Sequence, residues 1–145
     1  MEPTNVTPEN AERQAITLFY RAIEGKDLAL LKQAVAPDWQ YLPPLASQGN
    51  GLDAMASMLD DLRLALPDMR IELLDLLVDK NKVGVRARVT GTQTGPLMGI
   101  APTSKHVSFS IHSFHELRDG KITKTWHLED WLTVFRQLDK IPSLR

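Results

Sequence analysis

Asp130 is the residue in this sequence most suited to chemistry, because of the stretch it closes. That stretch runs from Leu117 to Asp130 and opens on Asp119-Gly120, a strong two-residue hairpin signal, since a type I′ turn needs positive φ at both central positions. Counting outward from the turn pairs Leu117 with Ile122, Ser113 with Trp126, Ile111 with Leu128 and Phe109 with Asp130, and strand alternation puts them all on one side. That side is apolar. A carboxylate at its end must be hydrogen-bonded, paired or used. With its pKa raised by apolar surroundings, such a group exchanges a proton beside a carbonyl. Its place just ahead of a helix offers a second role, an N-cap accepting backbone N–H bonds, which lowers the pKa and makes a poor base.

His115 shares the expected Asp130 face and is the second candidate, either for proton transfer or as a satisfied core histidine. Trp39, Tyr41, Phe109 and Trp126 pack a core if nothing is hollow there. Around a cavity they join Phe19, Met55, Met98 and Ser113 as the expected substrate pocket. Metal is not expected, because His112 and His115 lie three apart on a strand, hence on opposite faces. The opposite sheet side collects His112, Phe114, Thr125, His127 and Glu129 with Gly84, Arg86, Arg88 and Thr90. It is too mixed for a core, and the helices are all needed on the other side. A homodimer joined through that outer face, using Arg86, Arg88, His112, Phe114, His127 and Glu129, is the expected assembly.

The elements that must position these groups are legible in order. Thr7-Pro8-Glu9 reads as N-cap, first-turn proline and first-turn acid, and Ala15, Phe19, Ala22 and Ile23 continue a helical stripe to Gly25. A brief helix follows the cap Asp27 and stops at Pro37. Asp38 to Leu42 predicts an edge strand running into Pro43-Pro44, and Leu52, Met55, Leu59, Leu62 and Leu66 predict a third helix, ended by Pro67. The period then changes to two. Strands are expected over 69–78, around Val83 to Val89 with the valines inward, and through the hairpin 106–129, before a last helix from Trp131 to about Leu138. Between them, 91–105 is an apolar, glycine-rich loop of the kind that rims a site. Helices followed by a strand meander indicate an α+β domain with helices on one sheet face.

Composition narrows the function. The 145 residues, 43% of them hydrophobic, suit a single domain over 1–145 with room for a cavity. A net charge of −1 without a basic cluster gives no footprint for nucleic acid or an anionic membrane. No apolar run approaches the roughly 20 residues that span a bilayer. With no cysteine and a polar start, Met-Glu-Pro-Thr-Asn, a cytoplasmic location is expected. Phosphate loops, nucleophile elbows and dinucleotide fingerprints are absent.

Four segments in order carry a resemblance: Ala65-Leu66-Pro67-Asp68-Met69-Arg70; Gly91-Thr92-Gln93-Thr94-Gly95-Pro96 through Thr103; Asp119-Gly120-Lys121-Ile122 with Trp126 and Asp130; and Arg136-Gln137-Leu138. The chain resembles the SnoaL-like polyketide cyclases and ester cyclases of the NTF2-like (cystatin-like) fold. The resemblance implies a cone built from a curved, mostly antiparallel sheet with N-terminal helices on its concave face. It also implies cofactor-independent acid/base chemistry on a small hydrophobic molecule, an aldol-type cyclisation or related isomerisation, with Asp130 as the acid/base. Gln93 stands where many relatives carry His, and Tyr41-Leu42 where many carry Asp and His. A non-catalytic binding or assembly module with the same pocket is the alternative.

Overall fold

The structure, a computed structural model, describes residues 8–44 and 49–140. Thr7, the expected N-cap of the first helix, lies outside the described residues. α1 (Pro8–Gly25) turns at Lys26, whose positive φ of 52° is followed by Asp27, and the Asp27 carboxylate accepts the Leu30 N–H to cap α2 (Leu28–Ala34). β1 (Val35–Leu42), α3 (Leu52–Ala65), β2 (Arg70–Asp79), β3 (Lys82–Thr92), β4 (His106–Arg118), β5 (Lys121–Glu129) and α4 (Trp131–Gln137) follow. The five strands form one sheet in the order β1-β5-β4-β3-β2, antiparallel except for the parallel edge pair β1-β5.

Alternation decides which face is covered. Val83, Val85, Ala87 and Val89 of β3 and Val107, Phe109 and Ile111 of β4 are buried, as the period-two pattern predicts. α1 lays Ala15, Ile16, Phe19 and Ile23 against them, and these residues share one core with Trp39, Met55 and Leu59. Register shifts in β1, β2 and the β4-β5 pair bend the strands, so the sheet curves around α1. This is the α+β architecture the element order indicates.

The β4-β5 hairpin departs from simple counting, and the departure relocates the site. Asp119 and Gly120 both have positive φ, 52° and 75°, as a type I′ turn requires. Leu117 pairs with Ile122 as expected, but Glu116 pairs with Lys124, which leaves Thr123 as an extra residue. A one-residue bulge sends every later side chain of β5 to the other face. Ser113 therefore pairs with His127 rather than Trp126, and Ile111 with Glu129 rather than Leu128. Strict alternation would bury Lys124; the bulge turns it to solvent and brings Thr125 inside, fully buried, next to Tyr41 of β1.

The loop after β3 is held by its own side chains. Gln93 is fully buried; its amide N–H groups donate to the carbonyls of Ile100 and Ala101, and its oxygen accepts from the Thr103 N–H and hydroxyl. Gly95 lies so close to α3 that an added Cβ would sit 2.2 Å from the Leu64 carbonyl oxygen. Met98 and Gly99, both at positive φ, form a two-residue tip closed by a Leu97–Ile100 bridge.

Candidate functional site

Between the concave sheet face, α1, α3, α4 and the 96–99 tip lies a cavity of about 660 Å³. Phe19, Leu62, Leu97, Phe109, Ile111 and Trp131 give it an apolar wall, and Leu64 and Met98, both at least half exposed, stand at its mouth. Besides the Trp131 indole N–H, the hydrogen-bonding side chains among the lining residues are those of Tyr20, Tyr41, Asp61, His127 and Glu129. A mostly apolar hollow with a few convergent polar groups is the usual form of a small-molecule site.

His127 and Glu129, two apart on β5, share the inward face because of the bulge. His127 Nδ1 lies 2.7 and 2.8 Å from the two Glu129 carboxylate oxygens, and its Nε2 lies 3.2 Å from the Pro43 carbonyl oxygen. The Tyr41 hydroxyl donates to Glu129 Oε1 at 3.1 Å, and its ring stacks on the His127 ring at 3.8 Å. Burial pushes the Tyr41 phenol well above its ordinary pKa, and the neighbouring Glu129 charge adds to this, so Tyr41 remains a donor. The carboxylate is thus fixed by two side chains, with only 17% of its side chain exposed.

A second polar group sits deeper. The fully buried His115 bridges the Tyr20 hydroxyl at Nε2, 2.9 Å, and the Thr125 hydroxyl at Nδ1, 2.8 Å. Trp39 donates its indole N–H to the same Thr125 oxygen at 3.0 Å. Burial lowers the His115 pKa to about 3, so the ring is neutral at neutral pH.

The structure places the expected site residues in three groups. Phe19, Tyr41, Met98 and Phe109 line the cavity. Trp39, Met55, Ser113 and His115 are buried beside or behind it. Trp126 and Asp130 are corrected. Trp126 is 39% exposed on the outer face, paired with Phe114. Asp130 is exposed and caps α4, its carboxylate accepting the Thr133 N–H at 3.1 Å and the Thr133 hydroxyl at 2.6 Å, which lowers its pKa. The expected outer face is corrected with them: Thr125, His127 and Glu129 turn inward, and His112 pairs with Leu128. Counting from the turn missed Tyr20, His127 and Glu129; Lys124, a lysine on a supposedly buried face, was the available sign of a slipped register.

Fold and cavity define an NTF2-like pocket protein, a curved sheet closed by helices around a hollow. A model of the SnoaL-like polyketide cyclase family matches residues 14–138, and the chain belongs to that family. A candidate polyketide cyclase from Bacillus cereus is similar in structure, with TM-score 0.80 and 28% identity over 92% of this chain and 83% of that one. TsrD from Streptomyces laurentii gives TM-score 0.82 at 23% identity over 97% and 100% of the two chains. IdmH, a candidate polyketide cyclase from Streptomyces antibioticus, gives 0.78 at 23% identity over 88% and 98%. No curated protein matches. Family and neighbours support a cyclase-type role in general. Among the described residues no helix is long and apolar enough to cross a membrane, and no three His, Asp or Glu side chains cluster as metal ligands would.

Proposed function

We propose that this chain performs cofactor-independent acid/base chemistry on a small hydrophobic carbonyl compound, an aldol-type cyclisation or related isomerisation, with Glu129 as the proton acceptor. The observation that carries this is a carboxylate fixed by His127 and Tyr41 on the wall of an apolar cavity. Glu129 takes a proton from the carbon beside a carbonyl, and the C–H electron pair becomes an enolate. In a cyclisation the enolate carbon bonds to a second carbonyl carbon, and the oxygen formed there takes the proton back from Glu129. His127 and Tyr41 hold the carboxylate aimed, and the apolar wall limits water, which strengthens each electrostatic contact. Asp130, the acid/base that the resemblance implies, serves here as the helix cap one residue further on.

Exchange of solvent deuterium into an aryl 1,3-diketone, followed by proton NMR, tests this without knowledge of the natural substrate. The wild-type protein is expected to accelerate exchange over buffer at matched pH. Saturable binding of the diketone without acceleration would leave the non-catalytic binding module as the function.

The outer sheet face fits a second copy of the chain. Leu77, Gly84, Phe114 and Trp126 pair successively across four strands, and Leu128 stands beside them. Leu77, Phe114 and Leu128 are each at least 66% exposed. Arg86 pairs with Asp75 at 2.6 Å along one flank, where His112 and Arg88 are also exposed, so a two-fold contact can match apolar to apolar and charge to charge. Five strands about 4.8 Å apart offer roughly 500 Å² per copy, near the ~1,000 Å² total of a specific interface. Sedimentation is expected to give a dimer that Trp126→Lys dissociates; a wild-type monomer at micromolar concentration overturns this assembly.

A further inference from the structure

The buried chain behind the cavity has a direction. An indole N–H only donates, so Thr125 Oγ1 accepts from Trp39; were it to accept from His115 as well, its own buried proton would have no acceptor among the described residues, which favours donation to His115 Nδ1. In that arrangement Nδ1 accepts. A neutral imidazole that accepts at Nδ1 carries its proton on Nε2, which points at the Tyr20 oxygen 2.9 Å away. The Tyr20 oxygen is thereby occupied as an acceptor, and its own proton must go elsewhere. The Ser113 hydroxyl is beside it, and Tyr20 also lines the cavity. The Glu129 charge acts on the same phenol, so the carboxylate and this hydroxyl are within electrostatic reach of each other.

We propose that Tyr20 donates a hydrogen bond to the carbonyl oxygen of the bound compound, with Trp39, Thr125 and His115 as positioning residues that set the direction of its proton. This rests on the carbonyl-ligand reading above and adds the group that recognises the oxygen. Negative charge that develops on that oxygen when Glu129 removes the neighbouring proton meets a donor already in place, where a fixed donor is most effective. Tyr20 and His115 meet at 5.6 Å between ring centres with their planes nearly perpendicular, and Phe19 closes edge-on against both, so the phenol has little freedom to swing.

Two probes of the same shape separate oxygen recognition from apolar filling: 2-tetralone, which carries a carbonyl, and tetralin, which does not. Tyr20→Phe is expected to weaken 2-tetralone binding about tenfold, the scale of one buried hydrogen bond, and to leave tetralin within about twofold. Long-range proton–nitrogen NMR of the wild-type protein at pH 7 is expected to show His115 as the neutral Nε2–H tautomer, a readout that simple packing would not fix. The inference is overturned if wild type binds 2-tetralone no better than tetralin, if Tyr20→Phe weakens both alike, or if His115 carries its proton on Nδ1. Oxygen recognition through Tyr20 in a protein that exchanges no diketone proton would keep this inference and remove the catalytic one.

Discussion

Thr125→Val separates the bulged register from the uninterrupted one. Valine keeps the β-branch, the volume and the strand preference of threonine, so the hydroxyl is nearly all that changes. Thr125 is fully buried, and its oxygen serves both the Trp39 N–H and His115 Nδ1. Removing it leaves two buried groups without partners, each costing about 1–3 kcal/mol, so the variant should lose roughly 2–6 kcal/mol. For a chain of this size that lowers Tm by about 6–18 °C at roughly 3 °C per kcal/mol. Urea denaturation with an unchanged m-value is the assay. In an uninterrupted hairpin Thr125 would face solvent, where the same substitution stays within about 0.5 kcal/mol. A result that small refutes the inward placement of Thr125, and with it that of His127 and Glu129.

Gln93→Ala should destabilise by about 2–4 kcal/mol, because four loop groups lose their partner, and should weaken 2-tetralone binding as the tip bearing Leu97 and Met98 loosens. A urea midpoint within experimental error of wild type would contradict the clamp. Stability should also fall in mild acid. His115 binds its proton only near pH 3 when folded but near 6.5 when unfolded, so its contribution is complete above about pH 6.5 and declines as pH drops toward 3. Between pH 7 and 4.5 the wild type should lose on the order of 2 kcal/mol more than His115→Gln, measured by paired urea titrations.

The fold was legible in the sequence because its signals are periodic and local. The stripe through Phe19 and Ile23, the valine alternation of β3 and the Asp119-Gly120 turn each identify an element without reference to the rest of the chain. The site was only half legible. Phe19, Tyr41, Met98 and Phe109 could be picked out as large side chains on inward faces. His127 and Glu129 could not, because their facing depends on one extra residue, Thr123, whose insertion is favoured by keeping Lys124 in water and by pairing β5 with β1. That pairing joins segments more than eighty residues apart, and counting from a turn does not contain it. Tyr20 was hidden differently: on α1 it reads as one more core aromatic, and only its hydrogen bond to His115 separates it from Phe19, which meets the same ring edge-on.

The central claim is that Glu129, held by His127, exchanges the proton, while Asp130 one residue later caps a helix. The measurement is the rate of deuterium exchange into the aryl diketone by Glu129→Gln and Asp130→Asn, each verified as folded. Glu129→Gln keeps the shape and removes the base, so exchange should fall about 100-fold or more, the scale of general base catalysis, with diketone affinity within a few-fold of wild type. Asp130→Asn, which retains a capping oxygen, should exchange within about threefold of wild type. Exchange that survives in Glu129→Gln and is lost in Asp130→Asn would contradict the account.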